Sequence, residues 1–378
     1  MKKPFYLMAG AILVLALTLV SCKKNGPAIC NCSPGDLVAS VSIFSSGFNN
    51  PRGLKFGPDG YLYVAEGGIG GTDSSTTCTP VLPPVGPYRG STNGARISRV
   101  NASGVRTTFV DNLPSSQTAA TQGSFISGVG DVSFIGNTLY AVFAGAGCSH
   151  GVPTIPNGVI RVKPDRSWDM IADLSAYQMS HPVKNPNPPD FEPDGTWYSM
   201  IGVEGNLYAV EPNHGELDKI TPKGSISRVI DISAFEGHIV PTAVTFHNGN
   251  FYVGNLDLFP ITGMSSIYKI TPGGAISVVA TGFSTILGVV FDAAGGMYVL
   301  ENTTGNPFPT PLTGDIIRVD PTGDRLTITT GLNLPTALTF GPDEKLYVSN
   351  AGYGAPVGAG QILQIDITCA KRQKGLAK

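Results

Sequence analysis

Charge is scarce in this sequence, aromatic residues are few, and long apolar runs are almost absent. Acidic and basic residues make up 14% of the 378 positions, and aromatics 8%. The formal net charge is −2, and no Lys/Arg cluster lies away from the termini. That pattern offers no electrostatic footprint for a nucleic-acid backbone, so no nucleic-acid partner is expected. The one long apolar run, 9–20, is too short to span a bilayer. Outside it no long stretch keeps a 3.6-residue apolar period, which argues against a helical architecture. Phosphate-loop, dinucleotide-binding and His-Glu-x-x-His patterns are also missing.

What the chain has instead is turns. Its 48 Gly and 30 Pro are spread evenly among 42% hydrophobic residues. This composition reads as many short strands joined by tight turns rather than as disorder.

The N-terminus reads as a processing segment. Lys2 and Lys3 precede the apolar run, and "LVSC" (19–22) follows it, the pattern of a bacterial lipoprotein signal. Residues 1–21 are therefore read as signal peptide and Cys22 as the lipidated residue. Residues 22–35 form a linker, 36–370 the folded domain and 371–378 a basic tail. No Asp directly follows Cys22, which by resemblance to such lipoproteins leans toward the outer membrane. The expectation is an exported lipoprotein of the periplasm and outer membrane, held to membrane lipid through Cys22. Export implies an oxidising compartment. Five cysteines remain there (Cys30, Cys32, Cys78, Cys148 and Cys369), so at least one stays unpaired in a monomer.

The same unit recurs six times: "LKFGPDGYLYVAE" (54–66), "VSFIGNTLYAVF" (132–143), "SMIGVEGNLYAVE" (199–211), "VTFHNGNFYVGN" (244–255), "VVFDAAGGMYVLE" (289–301) and "LTFGPDEKLYVSN" (338–350). Each carries an apolar anchor (Phe56, Phe134, Ile201, Phe246, Phe291, Phe340). A tyrosine follows six or seven residues later (Tyr63, Tyr140, Tyr208, Tyr252, Tyr298, Tyr347). Gly, Asn, Asp and Pro between them are hairpin-turn residues. A third strand follows in every copy and a fourth in five. The sixth copy runs out of chain, while "VSIFSSGFNNPRGLKF" (41–56) matches "ISVVATGFSTILGVVF" (276–291) in residue type. The predicted fold is an all-β, six-bladed β-propeller, and its blades resemble those of NHL-type propellers. Its ring is closed by the N-terminal strand, which serves as the outer strand of the last blade. That pairing brings Cys369 beside Cys32, or Cys30 as the alternative, and a disulfide is expected there.

In such a ring every long loop (67–94, 112–128, 144–157, 174–196, 256–265, 302–314) falls on one face, with Cys78, Cys148, His150, His181, His214 and His238. His247 lies on the other. Function is expected on the looped face. Cys78 and Cys148, in loops of adjacent blades, are read as a second disulfide rather than metal ligands, because no CxxC pattern accompanies them. "EPNHGE" (211–216) is turn chemistry between two strands, with His214 a weak candidate for a catalytic base and a surface position its plainer reading. Glu211 ends its second strand. Its equivalents are Glu66, Phe143, Asn255, Glu301 and Asn350, and a ring of acids and amides suits a hard cation such as Ca²⁺. Against that, residues four before each anchor should sit nearest the axis. They are Arg52, Gly130, Trp197, Thr242, Leu287 and Thr336, with no carboxylate among them. The acidic, Pro-rich 185–197 is read as a latch over the channel or a stiff solvated loop. "VLPPVGPY" (81–88) and "NPFPTP" (306–311) suit a rigid, ligand-facing rim.

The phrases "NNPRGLKFGPDGYLYVAEGG", "PPVGPYRGSTNGARISRV", "GAGCSH", "EPNHGELDKITPKG" and "VLENTTGNPFP" resemble the exported ScyD/ScyE-type family associated with scytonemin biosynthesis, over about 36–370. The resemblance implies a six-bladed extracytoplasmic propeller and supplies no catalytic residues. Three functions follow as expectations. The first is a monomeric, lipid-anchored binding or scaffold protein taking a small molecule, glycan or protein on its looped face. The second is a Ca²⁺-type, lactonase-like hydrolase using Glu66, Glu211, Asn255, Glu301 and Asn350. The third is an accessory protein of secondary-metabolite biosynthesis.

Overall fold

The structure, a computed structural model, describes residues 36–74, 77–83, 85–119, 125–186 and 192–369. Six antiparallel sheets make the six blades. Their first strands are Pro51–Phe56, Val129–Ile135, Ser199–Val203, Pro241–His247, Ile286–Phe291 and Ala337–Phe340. These strands pack on one another from blade to blade and so surround the axis. Blade six takes its outer strand from the N-terminus. Leu37–Phe48 pairs antiparallel with Gly360–Cys369, from Leu37 opposite Cys369 to Phe48 opposite Gly360.

The repeated tyrosine and phenylalanine have a mechanical meaning. Tyr63 meets Phe134 of the next blade edge-on at 5.1 Å, Tyr252 meets Phe291 at 4.8 Å, and Tyr298 meets Phe340 at 5.3 Å. Tyr347 closes the circle on Phe56 at 5.0 Å. Each such contact adds about 0.5–1.5 kcal/mol beyond the area it buries. Two of these hydroxyls reach back to the hairpin turn of their own blade, Tyr63 to Asp59 at 2.9 Å and Tyr347 to Asp343 at 3.0 Å. The motif therefore encodes the turn and the blade-to-blade seam together.

Two features depart from the expected outline. The third and fourth strands of blade one, Arg89–Val100 and Arg106–Gln117, run well into what the sequence suggests is loop, and Ile126–Ser127 adds a short fifth strand. Segment 174–196 opens with a helix, Leu174–Ser180, whose N-cap Asp173 accepts from the Ala176 N–H at 2.8 Å. No helix among the described residues is long and apolar enough to cross a membrane.

Cys78 and Cys148 are bonded, with Cα atoms 6.0 Å apart, and pin the loops of blades one and two together. Cys369 is disulfide-bonded as well. Cys32 and Cys30, like Cys22, lie outside the described residues.

Candidate functional site

The axis opens on the looped face into a cavity of about 180 Å³. Three of the predicted axial residues, Arg52, Thr242 and Leu287, line it. Trp197 does not. Its indole is fully buried in the core between blades two and three and donates to Asp218 at 3.2 Å, and Tyr198 takes the axial place. Gly130 packs against blade three, where a Cβ would come within 2.6 Å of the Trp197 carbonyl. Thr336 stands beside the axis, its hydroxyl donating to the Pro51 carbonyl at 2.6 Å.

The floor of the cavity is a chain of hydrogen bonds across the axis. Arg52 Nη1 donates to the Tyr198 hydroxyl at 3.2 Å, which donates to the Thr336 carbonyl at 3.2 Å. Arg52 Nη2 donates to the Ile126 carbonyl. The guanidinium lies 4.3 Å from the Phe125 ring centre and 5.3 Å from that of Tyr198. Burial pushes the Tyr198 hydroxyl above the usual phenol range, outweighing the opposing pull of Arg52. It therefore stays a donor.

The walls come from the loops. Phe125 packs on Tyr353 at 4.4 Å, Tyr353 on Phe308 at 5.3 Å, and Phe308 stacks on Phe259 at 3.9 Å. Tyr88 and Phe308 belong to the two proline-rich segments read as a rigid rim, and both line the cavity. Glu192, from the acidic segment read as a latch, lines it too, while Asp190 lies outside the described residues.

Behind this wall sits a buried acid–imidazole cluster. Glu192 accepts from the Tyr88 hydroxyl at 2.8 Å and lies 3.3 Å from His150 Nε2. Burial pushes His150 down, yet Glu192, Asp194 and Glu211 together lift it above the usual histidine range. His214 responds in the same way, with burial lowering it and Glu211 and Glu192 raising it further. A Gly-x-Ser-x-Gly pattern, expected to be absent from this sequence, is present at Gly147-Cys148-Ser149-His150-Gly151. Ser149 Oγ lies 3.4 Å from His150 Nδ1, completing a Ser–His–Glu series. The serine is its buried end and the acid its cavity end, the reverse of what a nucleophile needs.

His214 is turn chemistry as expected, with Gly215 at φ +80°. It is not a surface residue, however. Only 3% of it is exposed, and residues of 178–186 and Pro193 close over it around a small cavity. Glu211 accepts the backbone N–H groups of Thr196 at 2.8 Å, Asn213 at 3.2 Å and His214.

The other strand-end residues repeat this latch. Glu66 accepts from the Asn49 N–H at 2.6 Å, Glu301 from Ser284 at 2.5 Å, and Asn350 from Asn333 at 2.9 Å. Asn255 donates to the Ile239 carbonyl at 2.8 Å. Each fastens the segment leading into its own blade, so the five are distributed around the ring. Among the described residues no three His, Cys, Asp or Glu side chains are grouped to hold a metal ion.

No protein-family model matches this chain, and no curated protein matches it. Solved structures do. A putative oxidoreductase (glucose dehydrogenase) from Thermus thermophilus is 16% identical, covers 87% of this chain and 100% of its own, and has a TM-score of 0.58. A protein of unknown function from Bacteroides thetaiotaomicron is 12% identical, with 88% and 76% covered and a TM-score of 0.55. A gluconolactonase from Xanthomonas campestris is 10% identical, with 87% and 89% covered and a TM-score of 0.53. At such identities the likeness shows the fold alone, and this chain is a six-bladed β-propeller.

Proposed function

We propose that this protein is an exported, lipid-anchored propeller that binds a small organic molecule in the axial pocket of its looped face. The observation that carries this reading is the pocket: an aromatic-walled cavity on the axis, floored by a buried arginine. Concave, mostly apolar sites with a few fixed polar groups are where proteins hold small ligands. Anchoring rests on the "LVSC" signal at 19–22, and the ScyD/ScyE-type resemblance supports an extracytoplasmic location. Titration with the neutral fluorophore N-phenyl-1-naphthylamine tests the binding. Saturable, one-to-one enhancement of emission is expected, and its absence would overturn the reading.

A metal-dependent, lactonase-like hydrolase is the second reading, favoured by the gluconolactonase among the structural neighbours. The strand-end residues do not fit a shared cation, since each is committed to the segment entering its own blade. No catalytic step is therefore drawn through a metal. Metal content and melting with and without chelator test this second reading. The accessory role in secondary metabolism rests on the family resemblance, and a gene neighbourhood without biosynthetic enzymes would count against it.

A further inference from the structure

We infer that the axial pocket selects planar aromatic carboxylates bearing a hydroxyl group, with Arg52 as the anion-binding residue. This rests on the binding function proposed above and specifies its ligand. Arg52 is 2% exposed, and among the described residues no carboxylate lies within ion-pair distance of its guanidinium. A guanidinium carries five N–H donors in a planar fork that matches a carboxylate. Here its hydrogen bonds go to two neutral oxygens, the Ile126 carbonyl and the Tyr198 hydroxyl. Buried cations ordinarily have a counter-charge. The rings of Phe125 and Tyr198 compensate in part, but ring faces do not satisfy N–H groups.

A second, independent observation concerns Asn302. It is fully buried, lines the pocket and donates through Nδ2 to the Pro335 carbonyl at 2.8 Å. Among the described residues its Oδ1 has no hydrogen-bond partner. A buried acceptor left alone calls for a donor, and a ligand hydroxyl supplies one. The aromatic wall, with Phe308 stacked on Phe259, Tyr353 edge-on to Phe308 and Phe125 tilted against Tyr353, favours a flat ring system between these two polar points. Glu192 is the one carboxylate among the described lining residues, and it faces His150 and Tyr88. That engagement leaves Arg52 as the lining charge with no ion-pair partner among the described residues.

Calorimetric titration of the exported protein with 2-naphthoate and with its neutral analogue 2-naphthylmethanol tests this directly. Naphthoate is expected to bind at least about tenfold tighter, the usual worth of a charge-assisted hydrogen bond. Arg52→Met should erase that preference and leave naphthylmethanol within about twofold. Because Arg52 also braces the floor, Arg52→Lys is measured beside it. Lysine keeps the charge without the fork, and an intermediate preference is expected. Adding a hydroxyl, as in 6-hydroxy-2-naphthoate, should tighten binding in the native protein and not in Asn302→Leu. Equal affinity of the native protein for naphthoate and naphthylmethanol would overturn the anion inference and leave the binding function standing. Failure of both naphthalenes and of the neutral fluorophore would overturn the two together.

Discussion

Glu211→Ala separates a structural latch from a cation ligand. The side chain is fully buried and accepts three backbone N–H groups, those of Thr196, Asn213 and His214. Alanine leaves all three donors in the interior. One unpaired buried donor costs about 1–3 kcal/mol, and water entering the vacated space recovers part of that. The net loss is expected to be about 3–5 kcal/mol. In a domain of this size that lowers the melting temperature by about 5 °C. Glu211→Gln keeps one acceptor oxygen and should lose about 1–2 kcal/mol. The assay is urea unfolding followed by far-ultraviolet circular dichroism, repeated with Ca²⁺ and with chelator. Both variants should fall by the same amounts in every condition. Native-like stability of Glu211→Ala would refute the latch. Loss of a metal that the native protein binds stoichiometrically would make the strand-end ring a cation site.

Three further outcomes are expected. Binding of 2-naphthoate should weaken as pH rises through the raised His150 pKa, because neutral His150 leaves the Glu192 charge unbalanced at the pocket wall, with Asp194, Glu211 and Tyr88 also facing the imidazole. The same pairing contributes stability that is full below the unfolded histidine pKa and is lost as pH rises through the folded one. A pH-independent affinity, or a profile unchanged in Glu192→Gln, would contradict this. Burial pushes Glu301 up to about 7, against the Ser284 N–H and with Asp315 adding to the rise. The folded state thus holds a proton that the unfolded chain has released, and stability should fall between about pH 4.5 and 7. Glu301→Gln should be about 1–3 kcal/mol more stable than the native protein at pH 8 and no more stable at pH 4, read by denaturant midpoints. Replacing Cys78 and Cys148 with serine opens a crosslink spanning 70 residues and should lower stability by about 2–5 kcal/mol, as should reduction of the native protein. Unchanged unfolding in both would show that the bridge constrains nothing.

The fold was legible because the repeat itself carries the packing. An anchor, a turn and a tyrosine at near-constant spacing are the parts that meet across each seam, as Tyr63 on Phe134 and Tyr347 on Phe56 illustrate. The rim was legible for a related reason: the proline-rich segments that carry Tyr88 and Phe308 have little freedom to turn away. Tyr198 was missed through one residue of register. The first strands of blades one, two, four and five each hold an irregularity against their second strand, between Pro51 and Leu54, Val129 and Asp131, Pro241 and Ala243, and Ile286 and Gly288. Blade three pairs from Ser199 to Val203 without one. One extra residue exchanges the two faces of a strand, so counting back from Ile201 lands on the core residue, Trp197, instead of its axial neighbour. Burial of His214 was not readable from its own turn, because a distant segment covers it. The strand-end acids looked like a ligand set since backbone N–H acceptors and cation ligands are the same chemical groups. Only their distribution around the ring tells them apart.

The central claim is that the axial pocket is where this propeller binds. Leu287→Trp fills that cavity from its wall while leaving the loops and the strand-end latches in place. Titrating native and Leu287→Trp proteins with N-phenyl-1-naphthylamine, with melting curves as a folding control, tests it most directly. One-to-one binding by the native protein, abolished in the folded variant, is the expected result. Equal binding by both would put the ligand elsewhere and contradict the account.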